Sequence, residues 1–88
     1  MPEQELDAKA VKHIREILHG HVYASGHAEV GDVEIAKPVD LRTVTRIFRF
    51  ASEHGVSVTA EEQESDYLLM HVSGPHVAVD KVLTEWGY

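Results

Sequence analysis

The sequence predicts a single α+β domain, three helices packed on a small sheet. Three observations predict it. Residues 3–19, residues 40–54 and the segment after Pro75 repeat apolar side chains at helical spacing. Val56–Ala60 and Tyr67–Val72 instead alternate apolar and polar groups or run apolar over a strand's length. At 88 residues the chain lies below the ~100–150 typical of one domain, so residues 1–88 are read as one unit. A composition of 43% hydrophobic and 26% charged residues is that of a globular chain and not of a disordered one.

In the first helix, Leu6, Ala10, Val11, Ile14, Ile17 and Leu18 share one broad face, and Lys9, Lys12, Arg15 and Glu16 lie opposite. Glu3, Glu5 and Asp7 sit near the positive end of the helix dipole, and Gly20 supplies a stop. Residues 21–39 hold two short extended stretches, His21–Ala24 and Ala28–Val30, separated by Ser25-Gly26. Val33–Ala36 alternates after Gly31-Asp32, as a strand after a turn. A single helical turn capped by Asp32 is the other reading of the same residues, and the period of two favours the strand. Pro38 ends either element.

Asp40 is a good N-cap for the next helix, whose apolar face is Leu41, Val44, Ile47, Phe48 and Ala51 and whose stop is Gly55. The two following strands are joined by the acidic connection Glu61–Asp66. Ser73-Gly74-Pro75 breaks the second strand and starts a last helix with Val79, Val82, Leu83 and Trp86 on one side. With a strand at Val33–Ala36, residues 33–86 read β-α-β-β-α. That is the split βαβ, ferredoxin-like order, with Val33–Ala36 parallel to one strand of the later hairpin.

With a helix at 33–37 the order changes. Asp32-Val33-Glu34-Ile35-Ala36-Lys37 followed by Asp40-Leu41-Arg42-Thr43-Val44-Thr45-Arg46 then resembles the second and recognition helices of winged helix-turn-helix DNA-binding domains, over residues 32–72. The resemblance implies a fold with a two-stranded wing and contact of the 40–54 helix with DNA. Pro38 leaves a shortened turn, and the wing tip Glu61-Glu62-Gln63-Glu64-Ser65-Asp66 would repel phosphate. The helix–hairpin–helix–hairpin–helix order is also comparable to that of the pterin carbinolamine dehydratases. Their adjacent His-His-Pro signature has no counterpart in this chain, where Pro75-His76 is the nearest approach.

Charge and composition narrow the function. Eight basic against fifteen acidic residues give −7, which argues against a protein that coats polyanions indiscriminately. The absence of cysteine removes disulfides, thiolate metal sites and Cys nucleophiles. No apolar run approaches the ~18 residues of a membrane span and no signal-peptide pattern opens the chain, so a cytoplasmic protein is expected. No serine sits in a nucleophile elbow and no Gly-rich phosphate loop is present, so neither catalysis nor a cofactor is expected.

The leading candidates lie on the 40–54 helix. Arg42, Arg46 and Arg49, three of the eight basic residues, fall within roughly 60° of one another around the helix. Guanidinium groups a turn apart suit successive phosphates or carboxylates. Phe50 at the edge of the stripe suits base stacking or a protein contact. The bland alternative is a solvated face with Glu53 pairing Arg49 and Phe50 tucked under a loop. The expected function is a binding or regulatory module for an anionic partner, nucleic acid or acidic protein.

Two further groups complete the reading. Tyr67, Leu69 and His71 share the outward face of the second hairpin strand, a surface for protein interaction or self-association. His13, His19, His21 and His27 fall close together in sequence and are the candidates for a metal site, although no sharp ligand spacing such as His-Glu-x-x-His occurs.

Overall fold

Asp7 opens the first helix by accepting hydrogen bonds from the backbone N–H groups of Lys9 at 3.0 Å and Ala10 at 3.1 Å. The computed structural model in which this is seen describes residues 6–36, 40–64 and 67–88, apart from the side chains of 32, 36, 62–64 and 67. Glu3, Glu5 and Pro38 therefore lie outside the described residues.

Helix α1 (Ala8–Lys12) runs on into a π-helical stretch, His13–Ile17, in which Leu18 N–H bonds the His13 carbonyl at 3.0 Å. This wider turn corrects the predicted apolar face. Ala10 and Ile14 are buried, but Ile17 is 64% exposed. Three residues no longer carry the chain round to the core side, whereas the fourth, Leu18, does reach it. The stop is also more specific than predicted. His19 takes the left-handed conformation (φ +55°), and Gly20 is needed for close packing.

Strand β1 (His21–Val22) forms a hairpin with β2 (His27–Ala36), and Ser25-Gly26 lies in the turn. The predicted break at Gly31-Asp32 is not a turn. Ala28–Val30 and Val33–Ala36 belong to one strand, with an irregularity of register between Val30 and Val33. Val30 pairs with Val72 and Val33 with Met70, so three steps along β2 match two along β4. This bulge lets both valines face the core. The helical alternative for 33–37 is corrected at Val33–Ala36, which are extended.

Helix α2 (Leu41–Glu53) is capped by Asp40, which accepts from Thr43 N–H at 2.7 Å, and is followed by Gly55 at φ +73°. Strands β3 (Ser57–Glu64) and β4 (Tyr67–Pro75) form the second hairpin, and α3 (His76–Glu85) closes the chain. Both strands outrun their prediction. Glu61 to Glu64 pair with β4 instead of forming a loop, and β4 continues through Ser73-Gly74-Pro75.

The sheet order is β1-β2-β4-β3 and every neighbouring pair is antiparallel. Because β4 lies between them, β2 and β3 run parallel without touching. This is the split arrangement of an α+β domain. One core joins the layers: Ile14 from the π-helical stretch, Ala51 from α2 and Val79, Val82 and Leu83 from α3 pack with Val30, Val33, Met70 and Val72 of the sheet. The helices thus cover one face of the sheet and leave the other to solvent. Among the described residues no helix is long and apolar enough to cross a membrane.

Candidate functional site

Helix α2 is docked shallowly. Ala51 is its one fully buried side chain, while Val44, Ile47 and Phe50 are half-buried. Leu41 and Phe48, assigned to the core by periodicity, are 81% and 37% exposed. The core side of the helix is centred on Ile47 and Ala51, so its solvent side is wide.

Arg42, Arg46 and Arg49 all lie on that solvent side. Together with Leu41 and Thr45 they line one open groove of about 380 Å³. At a rise of about 1.5 Å per residue the three arginines span roughly 10 Å of helix. Among the described residues none of them forms an ion pair, and the alternative pairing of Arg49 with Glu53 is not made. Arg15 provides a contrast, since its guanidinium donates to the Val22 carbonyl at 2.9 Å. Among the described residues the α2 arginines make no such side-chain hydrogen bond.

Phe50 is half-buried. Its ring packs on the core and meets His54 edge-on, with centroids 4.6 Å apart, beside a crevice shared with Ile47 and Trp86. Arg46 lines that crevice as well as the arginine groove, so Phe50 stands at the edge of the stripe, four residues after Arg46.

The outer sheet face holds the second predicted surface. Leu69 is half-buried and His71 exposed, and the side chain of Tyr67 lies outside the described residues. Thr59 and Glu61 sit opposite His71 and Leu69 on β3, and Glu34 opposite Leu69 on β2. The surroundings of Leu69 are therefore polar and acidic.

The histidines do not converge. His13 Nδ1 bonds the Asp80 carboxylate and ties the π-helical stretch to α3. His19 is exposed at the end of the first helix. His21 stacks edge-on against Tyr23 at 4.4 Å, and His27 Nε2 stands 3.9 Å from Glu29 Oε1. The Tyr23 hydroxyl donates to Glu29, and that bond raises its pKa above the ordinary phenol value. Among the described residues no three His, Asp or Glu side chains could hold one metal ion.

Sequence reasoning missed His76 and Asp80. His76 is fully buried, and its partners, Gly26 and Asp7, are 50 and 69 residues away. No local signal announces such a residue beyond the unusual Pro75-His76 helix start. Set beside known proteins, the chain matches no family model, no curated protein and no solved structure. Nothing in those comparisons bears on the winged helix-turn-helix resemblance.

Proposed function

We propose that this α+β domain is a non-enzymatic binding module that contacts an anionic macromolecule through the exposed face of α2. One observation carries the reading. Three guanidinium groups line a single groove, in a chain of net charge −7, and no described carboxylate pairs with any of them. A cationic stripe on an acidic domain favours one local, oriented contact, because most of the surface repels the same partner.

The test is fluorescence anisotropy with labelled single-stranded DNA, duplex DNA and an acidic peptide, repeated across a salt series. Binding should weaken as salt rises, and Arg42→Glu with Arg46→Glu should weaken it at least about tenfold. Affinities unchanged by the double reversal would reduce the stripe to a solvated helix face.

A further inference from the structure

The chemistry of the partner can be read one step further, and this step rests on α2 as the contact face. Two rows run side by side along the solvent side of the helix. One is Arg42, Arg46 and Arg49. The other is Leu41, Thr45 and Phe48, at the i, i+4, i+7 spacing that places side chains on one strip. Leu41 lies in the arginine groove itself and is 81% exposed, and Phe48, two turns on, is 37% exposed. The core does not claim either one.

The geometry points to an acidic amphipathic helix of a partner protein as the occupant of this groove. A phosphodiester backbone would satisfy the arginines and leave Leu41 and the exposed part of Phe48 in water. A helical segment satisfies both rows. Carboxylates three or four residues apart stand about 5–6 Å from one another, which matches the spacing of the three arginines. Apolar residues on the neighbouring strip of that segment would cover Leu41 and Phe48, which stand roughly 10 Å apart along α2. Charge sets orientation and the apolar row supplies burial. The domain's own acidity disfavours an extended polyanion, whose ends would run over Glu and Asp beyond the groove.

The probe is a labelled synthetic helical peptide of about four turns, with leucines at i, i+3, i+4 and i+7 flanked by glutamates. It is compared with polyglutamate and with single-stranded DNA of equal charge. At about 0.15 M salt the peptide should bind at least about tenfold tighter than either comparator. Leu41→Gln with Phe48→Gln should erase that advantage and leave the weaker binding of polyglutamate untouched. Leu41→Gln alone, at a side chain that contributes little to the fold, keeps the test usable if the double variant is unstable.

Equal binding of peptide and polyglutamate, or a peptide advantage that survives both glutamines, overturns the inference while leaving the arginine reading intact. Tighter binding of DNA does the same and assigns the groove to nucleic acid. A dimer in sedimentation velocity that Leu41→Gln dissociates gives the row to a second copy of the chain and also overturns it. If no probe binds at all, both this inference and the arginine reading fall.

Discussion

The imidazole of His76 accepts a hydrogen bond at Nε2 from the backbone N–H of Asp7, 2.9 Å away, across 69 residues of sequence. Because an amide N–H can only donate and the Gly26 carbonyl can only accept, the partners assign the tautomer: the proton sits on Nδ1, 2.9 Å from Gly26 O. One buried side chain thereby joins the first helix, the turn of the first hairpin and the start of α3. His76→Phe keeps a ring of similar volume and deletes both bonds. It should cost about 1–3 kcal/mol, because the part-buried Asp7 N–H loses its partner and the Gly26 carbonyl keeps only the backbone N–H of residue 76. Urea denaturation at unchanged slope would measure this, and a loss below about 0.5 kcal/mol would mean that solvent reaches both groups.

The end of the first helix offers a pair of opposite predictions. A Cβ on Gly20 would stand 2.7 Å from the Glu29 carbonyl and 2.8 Å from Ile14 Cγ2, so Gly20→Ala should destabilise by roughly 1–3 kcal/mol. His19→Gly should instead stabilise, by about 0.5 kcal/mol. It relieves a left-handed strain of ~1–2 kcal/mol against a chain-entropy cost of ~0.4–1 kcal/mol. Thermal melts of the two variants should move in opposite directions. A fall in both would show that the imidazole of His19 contributes more than its backbone costs.

Asp40 makes α2 sensitive to acid. Its hydrogen bond from Thr43 N–H holds the carboxyl below the usual aspartate value. The folded form therefore binds its proton more weakly than the unfolded chain does. The cap's contribution is fully present above ~3.9 and is lost as pH falls through the lower folded value. Titration of the Thr43 amide resonance should give a midpoint below ~3.9, and a midpoint at or above it would remove the cap's role.

Tyr88 acts at the opposite end of the pH scale. Its hydroxyl donates to the Glu34 carbonyl at 2.5 Å, and burial, with the nearby Glu34 carboxylate, raises its pKa above the ordinary phenol value. The folded state binds this proton more tightly. The contribution is whole below ~10 and is lost as pH rises through the folded value. Absorbance titration at 295 nm of the wild type minus Tyr88→Phe should isolate a transition above ~10. A difference curve centred at or below ~10 would show that the contact with β2 is not formed in solution.

Much of the architecture was legible locally. Asp40, Gly55 and the apolar spacing of Ile47 and Ala51 define α2 within two residues of its ends, since caps and amphipathic faces are short-range properties. The alternation of Val33–Ala36 identified a strand for the same reason. Gly31-Asp32 misled, because a bulge and a turn draw on the same residue types and only the partner strand distinguishes them. Leu41, Phe48 and Ile17 misled because periodicity gives a face and not the depth to which it is buried.

The arginine stripe was visible as three positions on one helix. What the fold added was the groove they share with Leu41, the unmade pairing of Arg49 with Glu53, and a second crevice lined by Arg46, Phe50 and Trp86. By itself the sequence determined the three helices, the α+β class and the charges each helix carries, because these depend on spacings of a few residues. The tertiary structure alone decided the antiparallel order β1-β2-β4-β3, the long-range tie at His76 and which apolar side chains are left uncovered. Each of those depends on groups brought together from tens of residues apart, where packing sets the outcome and local propensity has no reach.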